Sequence, residues 1–442
     1  MAMGRRKSKQ DALWVTTEEI TKPASHPFYA KVNAVLEECQ FDRKAEQLCE
    51  RFYKPVKGRP SITPGVYFRA LLIGYCEGIS SERGIVWRLA DSLSLREFLG
   101  FNLGDQTPDH STLSRTRRLL PVETHRAVFR WFVFVLGAKG VLTGQTVGID
   151  ATTLEANAAM RSIERRDTGA KYVEYLTGLA AAAGIENPTP EQLARLDRKR
   201  KKKTSNKDWK SPADPDSRVA KMKDGRTHLA HKAEHAVDLN SGALVAVTLQ
   251  AADQGDTATV VQTLNEACAN AEFLSASGVQ DVVADKGYHS GAVLAAMSGS
   301  DVQTYLPEPE RGRRNWSGRE AKREMVYANR RRVRSKRGQR LLKLRSELVE
   351  RSFAHMYDTG GMRRTHLRGR DNILKRLLIQ AAAFNIALLV RKLHGIGKPR
   401  TLQGASSELL NALLSLWFAL ARLYAAELVE RADWDAADGV AA

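Results

Sequence analysis

Apolar residues recur at helical spacing through the first third of the chain and at strand spacing through its middle. Phe28 to Glu38 and Asp42 to Tyr53 carry apolar positions three and four apart, the period of a helix with one buried face. Lys57-Gly58-Arg59-Pro60 punctuates the chain. Ser61 with Thr63-Pro64 then opens a helix to about Cys76, in keeping with proline near a helix start. Ser80-Ser81-Glu82 begins another helix and Ser92-Leu93-Ser94 a further short one. Asp109 is placed to cap the Ser/Thr/Arg-rich helix behind it. From residue 141 the period changes, and Gln145 to Glu155 alternates as a strand does. His228 to Val237 and Ala243 to Leu249 read as a hairpin closed by Asp238-Leu239-Asn240-Ser241-Gly242. Asp256 to Phe273 is an amphipathic helix and Val279 to Asp285 a short buried strand. Ser290 caps a helix through Met297, and Val302 to Leu306 is one more strand. Helices follow over about 339–357 and 371–394, and a Gly/Pro break at Gly395 to Pro399 leads to a C-terminal helix, 405–431.

This order predicts an α+β protein. A mixed five-stranded sheet flanked by helices occupies 141–394, behind an all-α domain over 1–140 and ahead of a helical tail over 395–442. Two segments interrupt the central region. Residues 157–222, with the run Arg198 to Lys203 and the stretch Ser211-Pro212-Ala213-Asp214-Pro215-Asp216, look like a charged insertion, partly helical and partly disordered. Residues 311–345 hold fifteen Lys/Arg against two Glu and read as a basic segment.

Charge narrows the partner. The 442 residues carry a net +19 with a pI near 9.8, an excess that calls for a polyanion. Basic blocks spread along a globular-looking chain fit DNA or RNA better than a membrane. The apolar run Leu409 to Ala426 is broken by Asn411, Ser415 and Arg422 and flanked by Glu408 and Glu427, so it reads as a buried or partner-binding helix. Cys39, Cys49, Cys76 and Cys268 form no CxxC pair, which argues for reduced thiols rather than a zinc ribbon. The basic N-terminus is followed by no signal-peptide core.

Short helices followed by a polar, basic one resemble a helix-turn-helix reader, with Ser114, Arg115, Arg117 and Arg118 as DNA contacts; a solvated basic face is the alternative. Arg330, Arg331, Arg332, Arg334, Lys336 and Arg337 are placed to grip phosphates. Trp209 and Trp316 lie in basic loops, suited to stacking on bases or to surface packing. His228, His231 and His235 fall near one hairpin, where packed or hydrogen-bonded histidines are commoner than ligands.

Three carboxylates end patterned segments: Asp150 in the first strand, Asp285 at the end of a buried strand, and Glu350 on a helix. Alternation puts Gly148, Asp150 and Thr152 on one face of the strand. If the strands are neighbours and the helix crosses them, the acids meet. Acids so gathered repel one another by about 1–4 kcal/mol per pair at ~4 Å and call for hard cations, Mg²⁺ or Mn²⁺. Two such ions can drive phosphodiester chemistry. No GxxxxGK[ST], HExxH or GxSxG signature competes.

The segments VGIDATTLEANA, VVADKGYHS and ELVERSFAHM resemble the three acid motifs of bacterial insertion-sequence transposases of the DDE class. HPFY, GRPS, FLGFNL and TPDHSTLSRTRR resemble the helical domain that precedes the core in one branch of them. DPDSRVAKMKDGRTHLAHKAEHAVD and the GDT at 255–257 are similar to that branch too. The resemblance spans about 25–394 and implies an RNase H-like core. It implies Asp150, Asp285 and Glu350 as catalytic, metal-binding residues holding two Mg²⁺ or Mn²⁺. The implied partner is double-stranded DNA, both the element's terminal inverted repeats and the target, with a homo-oligomer on paired ends and a cytoplasmic, nucleoid-associated location. The chain departs from some relatives in placing Lys343, Ser346 and Tyr357 where they carry Tyr, Arg and Lys around the last acid. Arg345, Arg351 and Arg363 are alternative DNA contacts. Glu347, one turn before Glu350, is the rival third acid. A DNA-binding regulator derived from a transposase, and another RNase H-like nuclease, remain the alternative functions.

Overall fold

The computed structural model describes residues 3–5, 26–55, 58, 61–102, 104–200, 205–222, 225–274, 278–310, 312 and 314–399. The expected 405–431 helix and Lys201 to Lys203 lie outside them. Seven helices open the described chain: α1 (Pro27–Glu38), α2 (Phe41–Cys49), α3 (Pro64–Cys76), α4 (Glu82–Asp91), α5 (Leu93–Leu99), α6 (His110–Leu119) and α7 (Val122–Ala138). Their starts are chemical. The side chains of Thr63, Ser81, Ser92 and Asp109 each accept a backbone N–H from the first turn of α3, α4, α5 and α6.

The sheet region then runs β1 (Thr146–Glu155), β2 (Glu164–Arg165), α8 (Tyr172–Ala182), α9 (Pro190–Lys199), β3 (Trp209–Lys210), β4 (Arg218–Lys221), β5 (Thr227–Asp238), β6 (Leu244–Ala251), α10 (Asp256–Ala271), β7 (Asp281–Val283), α11 (Gly291–Ser298) and β8 (Gln303–Tyr305). The helices α12 (Glu320–Arg334), α13 (Lys336–Phe353) and α14 (Arg370–His394) complete it. Among the described residues the main sheet has six strands rather than five. The five expected strands lie in the order β6-β5-β1-β7-β8, and β4, from the insertion, pairs with the start of β5. β5 is antiparallel to β1 and β6, while β1, β7 and β8 run parallel. The α+β class and the mixed sheet with helices are as the pattern predicts.

Helix α10 covers one face of the sheet over β5 and β6, and α13 crosses the other over β1, β5 and β7. Gly148 lets α13 come close. A Cβ there would stand 2.7 Å from a Leu239 methyl, 3.1 Å from Arg345 Cγ and 3.3 Å from Val349 Cγ2. Helix α14 packs against α3, α7 and β6, so the helical region and the sheet share one continuous hydrophobic core. Asn385 of α14 hydrogen-bonds both the N–H and the C=O of Leu244 at 2.9 and 2.8 Å, satisfying the edge of β6. The helix is long and apolar enough to cross a membrane, yet its whole apolar window is buried in protein.

Several expectations need correction. The described part of the insertion is more than helical: besides α8 and α9, β2 pairs β3, and Ile163 and Trp209 build a small core with Ala156 and Leu229. Trp209 is therefore an anchor rather than a base-stacking surface residue, 2% exposed, with the Tyr172 and Tyr175 rings 5.2 and 5.3 Å away. Much of the basic segment is α12, a regular helix with only Val326 and Asn329 buried. The helix expected over 339–357 begins instead at Lys336 and ends in a π-helical turn, Ala354–Thr359. Ser335 caps α13 through Gly338 N–H and forms its corner with α12.

Candidate active site

Parallel pairing sets the geometry. Gly148 of β1 lies beside Val283 of β7, the last pair of that parallel ladder, and Asp150 and Asp285 each follow two residues further along the same direction. Gly148 and Val283 both face α13: Gly148 meets Arg345 and Val349, and Val283 packs with Leu341. Asp150 follows the same alternation and ion-pairs with Arg345 of α13 at 2.7 Å; Thr152 follows it too and accepts from Arg363 at 3.1 Å. Asp285 comes two residues after β7 ends. Its Oδ1 accepts the Gly287 N–H at 2.8 Å and so caps a one-turn 3₁₀ helix, Lys286–Tyr288. Glu350 sits on the exposed side of α13, whose buried face carries Leu341, Arg345, Val349 and Ser352.

Electrostatics ties the three acids together. Burial pushes the Asp150 carboxyl up to about 6, Arg345 and the Ala151 N–H pull it back, and the negative charges of Asp285 and Glu350 push it further. Glu347 pairs its carboxylate with Arg351 one turn along. Among the described residues no three His, Cys, Asp or Glu side chains are gathered tightly enough to hold an ion as they stand. Arg345 supplies the countercharge to Asp150 instead. Its Nε also donates to the Ile149 carbonyl at 3.2 Å. The donor set suits a hard divalent cation, being carboxylate oxygen throughout.

The histidines of β5 do not form a cluster. His231 bonds Asp214 at 2.9 Å, His235 bonds the Ser352 hydroxyl at 2.8 Å and the Tyr357 hydroxyl, and His228 lies 3.7 Å from Glu155. His289 is buried. Sequence reading offered Arg345 only as an alternative DNA contact, whereas it reaches Asp150 across the sheet–helix gap; a lone arginine in a basic helix carries no signal of its partner. It passed over Glu234, 0% exposed on β5, because nothing local marks a buried glutamate in an alternating strand.

The expected DNA contacts divide. Arg115 and Arg118 of α6 are exposed, and Ser114 is half-buried. Arg117 turns inward, 3.1 Å from Glu82 of α4, and leaves the solvent-facing set. Arg331, Arg334 and Lys336 are exposed. Arg330 pairs with Glu308 at 2.7 Å, Arg332 bonds the Thr304 carbonyl and hydroxyl, both at 2.9 Å, and Arg337 pairs with Asp281 while staying largely exposed. Trp316 packs partly buried against the main core.

Searches of curated proteins and of solved structures return no match. Two family models do match the sequence: a transposase domain over residues 16–119 and a transposase DDE domain over 188–386. Together they cover more than half of the chain, the first within the helical N-terminal part and the second within the sheet-bearing part. The second includes Asp285 and Glu350 and begins beyond Asp150. The chain belongs to the insertion-sequence transposases of the DDE class, nucleotidyl-transfer enzymes that act on DNA.

Proposed function

We propose that Asp150, Asp285 and Glu350 are the acids with which this transposase cleaves its element ends and joins them to a target. The observation that carries the reading is the parallel register of β1 and β7, with Glu350 acting on Asp150 through space. Two Mg²⁺ or Mn²⁺ ions held by these carboxylates would activate a water or a 3′-hydroxyl and stabilise the leaving oxygen. Asp150 stands midway along β1, Asp285 follows the end of the neighbouring strand β7, and Glu350 lies on α13, which crosses β1. Arg345 balances Asp150 in the protein alone, and its guanidinium stands within reach of any phosphate brought to that carboxylate.

The helical part, 1–140, binds element ends and 141–394 carries the chemistry. Arg115, Arg118, Arg331, Arg334, Lys336 and Arg337 are the cations that remain available to phosphates, each contributing a salt-sensitive share of affinity. Paired ends require at least two protomers, so a homo-oligomer forms on DNA, in the cytoplasm at the nucleoid. The test is Mg²⁺-dependent nicking of a duplex bearing the element end by purified protein. Native activity in Asp150→Ala or Asp285→Ala would sink the assignment.

A further inference from the structure

Strand β7 ends at Val283, and the last backbone bond to its neighbour, from the Ala284 N–H to the Tyr305 carbonyl at 3.4 Å, stops one residue short of Asp285. Something else must fix that carboxylate. The turn after it is braced from the opposite face of the sheet. Glu234 of β5 pairs with Ala151 and so points away from the Asp150 face. It is 0% exposed, and its carboxylate accepts from the hydroxyls of Thr259 at 3.0 Å, Thr263, and Tyr288 at 2.9 Å. Thr259 and Thr263 belong to α10, whereas Tyr288 closes the turn that Asp285 caps. Beside it, buried Lys232 donates to Asp256 at 2.6 Å and to Thr259 at 3.0 Å. Asp256 in turn flanks the same turn. A Cβ on Gly287 would stand 2.9 Å from Asp256 Oδ2 and 3.0 Å from Asp285 Oδ1.

A buried carboxylate is a poor stabiliser compared with apolar residues of the same volume, so its value lies in the geometry it imposes. Burial and the charge of Glu234 hold the Tyr288 hydroxyl far above its ordinary range, which keeps it a hydrogen-bond donor. Asp285 Oδ1 is tied to Gly287 N–H, one residue before Tyr288, so any rotation of the turn carries the carboxylate with it.

We propose that Glu234 and Tyr288 are positioning residues: their buried hydrogen bond locks the Asp285–Tyr288 turn and so aims the Asp285 carboxylate at Asp150. This rests on the reading of Asp285 as a catalytic acid. A displacement near 1 Å at such a group costs about 10²-fold in rate, and loss of an outer support costs about 10–100-fold in metal affinity.

The experiment compares native protein with Tyr288→Phe, Glu234→Gln and Asp285→Ala. It measures Mn²⁺ binding by electron paramagnetic resonance, single-turnover nicking, metal-free end binding and thermal midpoint. Tyr288→Phe and Glu234→Gln should each weaken Mn²⁺ binding and slow nicking by about 10-fold or more, with end binding within about twofold of native. A merely structural role would lower the thermal midpoint and leave Mn²⁺ affinity of the folded protein native, which overturns the proposal. Native Mn²⁺ binding and nicking in both variants, beside an inactive Asp285→Ala, overturns the brace alone. Native nicking by Asp285→Ala overturns the site assignment and the brace with it.

Discussion

A carboxylate on a central strand is held there against desolvation, and Asp150 keeps its charge through its partners. Arg345 and the Ala151 N–H favour its charge while Asp285 and Glu350 oppose it. The two candidate third acids differ in their partners. Glu350 contributes to the field at Asp150, whereas Glu347 leans along the helix to Arg351 in a surface pair of little energetic consequence. Glu350→Gln should therefore lower Mg²⁺-dependent nicking by more than about 100-fold, since even the supports of a metal ligand cost 10–100-fold when lost. Glu347→Gln should stay within a few-fold of native in the same assay. Near-native nicking by Glu350→Gln would move the third corner elsewhere on α13. The preference for Glu350 was legible in the sequence only as wording, the Glu-Arg-x-Phe around it. The charge that Glu350 exerts on Asp150 depends on how α13 crosses β1, which no local pattern encodes.

The elements show where sequence reading reached and where it failed. Strands that alternate, and helices with a capping residue, fell within a few residues of expectation because their signals are local: Asp109, Ser81 and Thr63 act as caps within their own first turns. The insertion was not legible, because its core is assembled from single residues far apart in sequence. Trp209, Ile163 and Leu229 meet only once β2, β3 and β5 are in place. Helix α12 was hidden for the opposite reason: an arginine-rich helix with two buried positions has no apolar period to detect. The insertion also does work at a distance that its Asp-Pro-Asp stretch did not reveal. Asp214 accepts the Gly369 N–H at 3.1 Å and Asp216 the Arg370 N–H at 3.0 Å, so the insertion caps the central helix α14. Asp214 also holds buried His231 at 2.9 Å. Asp216→Ala should destabilise the protein by about 1 kcal/mol, the ordinary worth of a cap. Asp214→Ala should cost more, about 1–3 kcal/mol, because it leaves a buried imidazole without its partner. Urea unfolding midpoints of the two variants, measured side by side, check the order; equal losses would mean that the His231 contact contributes nothing.

At the scale of the whole molecule, one hydrophobic core runs from α1 through α14 to the sheet, so a group titrating in the helical part affects the stability of the catalytic part. His125 of α7 is 0% exposed in that core. Its Nδ1 lies 2.9 Å from the Pro121 carbonyl and its Nε2 3.1 Å from the Tyr67 hydroxyl. Burial lowers its pKa from 6.5 to about 3, against the small upward pull of the Pro121 carbonyl. The folded state therefore refuses a proton that the unfolded chain takes up near pH 6.5. Between those values the unfolded state binds more protons, so stability rises with pH. The contribution is intact above about pH 6.5 and falls by about 1.4 kcal/mol per pH unit as pH drops from there towards 3. His235, lowered to about 3 by burial alone, acts in the same sense. Asp150 acts in the other, since its folded pKa of about 6 lies above the ordinary carboxyl value and favours the folded state as pH falls below 6. The measured curve is a sum of opposing slopes, and the histidine share must be taken by difference. His125→Gln keeps a polar side chain of similar reach without a proton to gain in this range. It should be less stable than native at pH 7.5 because packing and the Tyr67 contact are disturbed. The gap should then close by about 1.4 kcal/mol for each unit below pH 6.5. Urea unfolding of both proteins at pH 7.5, 6.5, 5.5 and 4.5 tests it; a gap that stays constant over that series would mean that His125 is not held neutral by the core.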